Sequence, residues 1–595
     1  MGERRNMSQI KKEQAVTLIA LVVTIVILII LSAVSINMVI GDQGIFTKAQ
    51  QAANSMHDTE INTQVSFNML TSEMEQTLAG TTIPDVQQEK PNPPEQIAGM
   101  TPIKFTEPTE SQMGSYETTS WSDDTWYDYS QSKWANTKSE DGSMWVWIPR
   151  YAYKITYKDG NKAEDGTIEV KFLIGTSDNY YENGELKTAK RQTSADETVD
   201  TTTDFYVHPA FTNETSINFA NGGWDKELTG MYVAKFEAGF PEGNNTTASK
   251  KSSVSYSQDT GWVRAVEAGT SSDSNQGARN WLDGIYGETQ TRISYPVFQP
   301  LTYSMNYINV NDAYNISKAM NESGNIYGFT TASSDTHLMK SSEWGMISYL
   351  SYSQYGTKGQ DIAINNANLN NGGTKRTVTT GKNEVDSVYG ITGMTQGLTD
   401  GAETVVKIDE IKTLSGNTPT TTGSMYAWNQ QGGVSASSTG NMTGVYDLSG
   451  GTWERTASYV ANNHKNLLTY GESVAYTNDV LKTTSTKYTM VYPFDSAVDN
   501  STKQDTEENL NAASNANYSK NTKIYGDATR ETSTAGTGTS SWQDDYLYFA
   551  GLYTPFVARE GSLWDGSHAG RFSFYRGNGY SNFNNGFRPV VVPVS

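Results

Sequence analysis

Residues 15–40, AVTLIALVVTIVILIILSAVSINMVI, form an almost unbroken apolar run, and a run so uniform leaves the chain few ways to bury it. As a helix it measures about 39 Å, enough to cross a hydrocarbon core of about 30 Å with some tilt. Arg4, Arg5, Lys11 and Lys12 precede it, while Asp42 and a mostly acidic chain follow. The positive-inside rule then puts residues 1–14 in the cytoplasm as a basic leader and everything after Gly41 outside. The expectation is a single-pass protein of the cell membrane with an extracellular C-terminal domain. The alternative is a cleaved secretory signal using Ala33 and Ser35, for which the run is long.

Composition narrows what lies outside. A formal charge of −21 argues against a nucleic-acid surface, which needs a basic face. The chain has no cysteine, which removes disulfides, Cys-ligated zinc, thiol catalysis and iron–sulfur clusters together. With 52 glycines, 35 tyrosines and only 18 % charged residues, the chain suits a binding protein of short strands and long loops.

Beyond the anchor, residues 41–80 carry apolar residues from Ile45 to Leu78 at loose helical spacing, which predicts a stalk. Residues 81–110 hold Pro84, Pro91, Pro93, Pro94, Pro102 and Pro108 and read as a stiff linker. Residues 111–595 read as one α+β domain with insertions. Strand patterns occupy 144–155, 230–240 and 586–594, with Pro149 marking an edge or bend. Helices are expected over 311–320 and 341–352, the latter opening on Ser341 or Ser342 and burying Trp344, Met346, Ile347 and Leu350. Polar stretches near 184–204, 243–279, 365–424 and 497–541 read as surface insertions.

Two resemblances sharpen this outline. Lys11-Lys12-Glu13-Gln14-Ala15 followed by Val16-Thr17-Leu18-Ile19-Ala20 resembles a type IV prepilin leader. That resemblance implies cleavage between Ala15 and Val16. Ala15 stands where the family has glycine, and Ala20 where pilins carry a glutamate that pairs with a neighbouring subunit. The outer domain resembles the formylglycine-generating (sulfatase-modifying factor) family, a variant of the C-type-lectin-like fold. The segment Gly444-Val445-Tyr446-Asp447-Leu448-Ser449-Gly450-Gly451-Thr452-Trp453-Glu454 carries the strongest match. The closing Arg559–Gly561 and Gly586-Phe587-Arg588-Pro589 carry the next, with Glu560 replacing a glycine. The resemblance implies a core role for Trp453 and a buried polar pairing of Glu454 with Arg588.

The chemistry of that family does not transfer. Its oxidase branch uses a copper-binding cysteine pair, which a cysteine-free chain cannot supply. Its iron branch uses three histidines; here His57, His208, His337, His464 and His568 stand singly, and only convergence of His208, His337 and His464 would rebuild such a site. No nucleophile elbow or phosphate-binding glycine loop occurs. Asp123, Asp124 and Asp128, beside Trp121, Trp126 and Tyr127, are the place for a structural calcium, although their spacing is not an EF-hand's and a solvated acidic loop is the simpler reading. No enzyme, catalytic residue, metal or cofactor is therefore expected.

What remains is the ending, 561–588, GSLWDGSHAGRFSFYRGNGYSNFNNGFR. Between Asp565 and Asn585 it uses only Asp, Gly, Ser, His, Ala, Arg, Phe, Asn and Tyr, close to the palette of an antibody paratope. It also resembles the variable segments written by diversity-generating retroelements on the same scaffold, where randomised adenines of Asn codons cannot yield Trp, Met, Lys, Gln or Glu. Period-two alternation sends Trp564, Asp565, His568, Arg571, Ser573, Tyr575, Arg576, Asn578, Tyr580, Asn582 and Asn584 outward as ligand contacts, with Phe572, Phe574, Phe587 and Val590 inward. The expected function is a surface-anchored, non-catalytic adhesin or receptor whose partner is a protein or glycan. A minor pilin engaging pilus-assembly components, and an iron-dependent enzyme, are the alternatives.

Overall fold

Met144–Pro149 (β4) is the reading frame of the domain: MWVWIP is buried on both faces, so both of its neighbours must be covered. Its indoles Trp145 and Trp147 are fully buried, and burying such a side chain stabilises by roughly 1.5–3 kcal/mol. The computed structural model describes residues 90–594, except 111, 193–196, 214–221, 240–294, 303, 306–307, 366, 369–376, 381–382, 387–391, 396–403, 406–425, 497–505, 563–564 and 581–583. The chain divides into two units, Met1–Gln87 and Gln88–Ser595. The expected leader, the apolar run, the Ala15/Val16 cleavage point, the stalk and His57 all lie outside the described residues. Among the described residues, no helix is long and apolar enough to cross a membrane.

Seven antiparallel strands form the larger sheet. They are Thr101–Thr106 (β1), Ser115–Thr118 (β2), Asn136–Lys138 (β3), β4, Gly230–Ala234 (β8), Ser334–Leu338 (β9) and Pro589–Pro593 (β15), in the order β9-β15-β8-β4-β3-β1-β2. The presence of β1 corrects the linker expected over 81–110. From Lys90 onward those residues are described as domain, with Ile97 and Met100 buried and Asn92 donating to the carbonyls of Gly175 and Thr229. Pro149 ends β4, where a missing N–H costs nothing. Tyr151–Thr156 (β5) then leaves for a separate sheet with Thr167–Phe172 (β6) and Tyr206–Val207 (β7). The stretch expected as one bent strand is thus two strands in two sheets.

The second sheet is built on Trp453–Val460 (β10), buried along its whole length. Phe556–Glu560 (β12) pairs antiparallel with β10, and Gly570–Gly577 (β13) pairs antiparallel with β12. Met490–Tyr492 (β11) runs parallel to the far end of β10, and Asn585–Phe587 (β14) parallel to its near end. The expected closing strand is therefore also split: β14 belongs to this sheet and β15 to the larger one, with Arg588 at the crossing.

Helix Val310–Ala319 (α1) starts on Asn309, whose side chain accepts from the N–H of Asp312 at 2.7 Å. Helix Ser341–Tyr352 (α2) is buried on every side, lying against β6, β10, β12 and β13. Its cap is not a serine. Lys340 is the N-cap, and Glu343 accepts from its backbone N–H at 2.8 Å. Lys465–Ala475 (α3) and Glu507–Lys520 (α4) complete the helices used below. Within the 497–541 stretch, expected as a surface insertion, residues 497–505 lie outside the described residues, while 507–520 form α4 and Tyr525, Asp527, Ala528 and Thr532 are buried in the interior. The α+β class holds.

Candidate functional site

Strand β13 ends opposite the start of β12, Gly577 facing Phe556, and the chain folds back at Gly579 just beyond. Gly579 allows the return: its φ of +95° favours glycine, and a side chain there would strike Phe556 and Tyr470. The fold-back leaves a cleft of about 610 Å³. Six of the expected contact residues line it: Asp565, Tyr575, Arg576, Asn578, Tyr580 and Asn584.

The cleft's aromatic wall centres on Tyr575, 38 % exposed. Its ring lies 4.8 Å from that of Trp453 and 5.6 Å from that of Tyr548, while Arg576 sits over Tyr548 at 5.0 Å. Arg576 is held from behind by α4, donating to Glu507, Asn511 and Ser514 at 2.8–2.9 Å. Burial pushes the Asp565 carboxyl above the usual carboxylate range, although Ser562 donates to it from both its N–H and its hydroxyl.

Arg455 forms the inner end. It is 2 % exposed, and Nη2 donates to the carbonyl of Tyr580 at 2.6 Å and to Asn585 Oδ1. A side chain at position 577 would stand 2.6 Å from its Nη1, so Gly577 is what admits the guanidinium. Burial lowers the Arg455 pKa to about 10. Three buried polar atoms of cleft residues have no hydrogen-bond partner: Arg455 Nε, Thr554 Oγ1 and Asn584 Oδ1.

No family model matches the chain, and no curated protein matches it either. The site must be read from its own geometry.

That geometry corrects the alternation expected along β13. Phe572 and Phe574 are buried as expected, but so are Arg571, Ser573 and Arg576, at 1 %, 0 % and 4 % exposure. Arg571 donates to Gln543, Ser351, Thr357 and the carbonyl of Gln360, and its own carbonyl receives the Trp344 indole N–H. Ser573 donates to the carbonyl of His568 at 3.0 Å. Both faces of the strand are covered, so period two does not separate inside from outside here. His568 is half-buried, with Nδ1 2.9 Å from the carbonyl of Asp544, and lies outside the cleft lining. Trp564 and Asn582 lie outside the described residues. Trp453, Arg455, Tyr546 and Tyr548 were not expected in the site.

Behind the cleft lies an acidic interior. Glu237, Glu454 and Glu560 bring carboxylate oxygens within 4.8 Å of one another, and among the described residues they are the acid or histidine group close enough to share an ion. Glu454 binds Arg588 at 2.6 Å, the pairing implied by the sequence resemblance. Glu237 accepts from Ser304 and Thr452. Glu560 lies buried among these carboxyl groups, and its φ of 88° is a conformation that favours glycine. Burial pushes Glu237 and Glu560 well above the usual glutamate range and raises Glu454 as well.

The histidines stand in separate surroundings. His208 is buried against Tyr151, Tyr153 and Tyr349, and desolvation lowers it to about 3. His337 lies 2.9 Å from Glu343, and His464 caps α3. In the loop weighed for calcium, Asp123 accepts from Thr119 and Thr125, which hold it down at about 2, and Asp128 accepts from Ser130.

Proposed function

We propose that the chain is a ligand-binding protein of the cell surface, an adhesin or receptor whose binding site is the Tyr575 cleft. The observation that carries this is convergence. Residues scattered over the ending, from Asp565 to Asn584, line one concavity together with Trp453 and Arg455 from β10. Its volume falls within the range of small-ligand sites, about 300–1,000 Å³, and its walls combine rings with a few polar groups. The Glu454–Arg588 pair supports a C-type-lectin-like, sulfatase-modifying-factor-like scaffold. The apolar run at 15–40 and the prepilin-like leader support a membrane anchor with the domain outside. Diversification of the ending by a retroelement is part of the proposal.

Cells displaying the full chain are passed over immobilised glycan and protein panels. Retention that disappears in the Tyr575→Ala/Tyr580→Ala chain, while its melting transition persists, is the expected result. Retention unchanged by both substitutions defeats the cleft as the site. Protease shaving of sealed cells should remove the domain, and mass spectrometry should find Val16 at the mature N-terminus. A near-copy of the codons for 561–588 beside a reverse-transcriptase gene, differing only at adenines, would establish diversification.

A further inference from the structure

The inner end of the cleft holds a charge that the protein does not balance. Among the described residues, other buried arginines have acids set against them. Arg150 pairs with Asp178 and Glu227, Arg576 with Glu507, and Arg588 with Glu454. Asp527 acts on Arg559, and Asp361 with Asp545 on Arg571. Arg455 is as buried as these, yet its hydrogen bonds go to a carbonyl and an amide oxygen, both neutral, and its Nε has no partner. Leaving a desolvated cation without its counter-charge is costly, whereas a carboxylate supplies that charge through a charge-assisted hydrogen bond.

We propose that the cleft takes a carboxylate-bearing saccharide, its carboxylate seated on Arg455 and its ring against Tyr575. This rests on the cleft being the binding site. The other cleft residues select the class. Glu507 and Asp565 also line the cleft, so a doubly charged phosphate monoester meets repulsion that a single carboxylate largely avoids. Asn584 Oδ1 is a buried acceptor without a donor, and a carboxylate supplies none. A ligand that satisfies Arg455 and Asn584 together carries hydroxyls as well as a carboxylate. Thr554 Oγ1, buried and unpartnered, fits the same hydroxyl-rich ligand. The Tyr575 ring offers an apolar face for the C–H side of a pyranose, and the half-buried Tyr546, Tyr548 and Tyr580 line the same cleft. An acidic peptide would bring the carboxylate but not the cluster of hydroxyls.

The test titrates the full chain, in detergent micelles, with hexuronic-acid and nonulosonic-acid oligosaccharides, their carboxyl-reduced counterparts and an oligoglutamate peptide. At least one acidic saccharide should bind ten-fold or more tightly than its reduced counterpart, and Arg455→Met should erase that preference. Arg455→Lys should keep only part of it, because a compact ammonium cannot hold the Tyr580 and Asn585 oxygens and the carboxylate in the guanidinium's planar geometry. Equal binding of acidic and reduced forms, no binding of any saccharide, or preference for oligoglutamate would each overturn the proposal. The unsubstituted chain decides these arms even where Arg455→Met fails to fold. Should cell retention depend on Tyr575 while no acidic preference exists, the cleft stands and the carboxylate falls. Should retention ignore Tyr575, the cleft reading itself fails.

Discussion

Glu454 and Arg455 are neighbours on one strand and equally buried, yet they face two regions built on opposite electrostatic terms. On the Glu454 side, Glu237, Asp447 and Glu560 crowd round a single guanidinium, Arg588. On the Arg455 side the guanidinium of Arg455 has no acid bonded to it among the described residues, only a carbonyl and an amide oxygen. In the interior, burial and the neighbouring carboxylates push the pKa values of Glu237 and Glu560 up, which favours their neutral forms. A guanidinium has no such escape, because its pKa stays far above neutrality even when burial lowers it to about 10. Where both charges sit in place the fold is being held. Where one is missing and the surface opens, the proposed ligand would supply it.

The sharpest break of this comparison is Arg588→Met. It leaves Glu454 without its cation and frees the carbonyls of Ala234, Tyr446 and Asp447, which Arg588 now binds. Removing one partner of a buried pair costs about 3–5 kcal/mol. Chemical denaturation should show that loss. A change below about 1 kcal/mol would mean that Glu454 is already protonated and Arg588 expendable.

On the cleft side the matching test is Tyr575→Ala alone. The ring is partly exposed and lies tilted against Trp453, so its loss should cost about 2 kcal/mol in binding, read as retention of displaying cells, and about 1 kcal/mol or less in stability. Unfolding of the variant would place Tyr575 in the core and not in the site.

Proton sharing in the interior makes a third prediction. Glu560 is raised above the usual value of 4.5, so the folded state holds its proton to higher pH than the unfolded chain does. Its contribution to stability is therefore full below about 4.5 and is lost as pH rises through the folded pKa. Each such proton contributes about 1.4 kcal/mol per pH unit to the slope within that window. Glu560→Gln should flatten the fall in stability from pH 5 upward by about that amount. An unchanged slope would assign the titration to Glu237 and Glu454.

How much of this was legible in the sequence depends on where side chains meet. The Glu454–Arg588 pair was, because both ends lie in motifs with a known resemblance. Helix α2 was, because Trp344, Met346, Ile347 and Leu350 repeat at helical spacing, although its cap was misread: Glu343 reaches back to Lys340 and leaves the serines inside. The cleft was half legible. Tyr575, Tyr580 and Asn584 stood out by composition, but Trp453 and Arg455 sit on a different strand, and only the β10–β14 pairing brings them to the ending. One signal was present: in Trp453-Glu454-Arg455, alternation puts Glu454 and Arg455 on opposite faces, so a strand with a buried glutamate must turn its arginine elsewhere. Helix α4 could not be placed, since its Asn- and Ser-rich sequence has no apolar stripe and its fold depends on contacts such as Asn517 with the carbonyl of Ala550.

The smallest expected effect separates the two halves of the ending itself. Ser573 and Tyr575 lie on the same face of β13, two residues apart, and simple alternation makes both of them ligand contacts. In the fold only Tyr575 reaches the cleft, while Ser573 is fully buried and spends its hydroxyl on the carbonyl of His568. Ser573→Ala removes that hydrogen bond while the carbonyl of His568 keeps the N–H of Tyr546, a loss of about 0.5–1.5 kcal/mol in stability. Binding should not change, because no atom of Ser573 lines the cleft. A variant of full stability with weakened retention would restore the alternation and move the binding face off the cleft onto the flat of the strand. A modest loss of stability with retention intact places the boundary between scaffold and site between Ser573 and Tyr575.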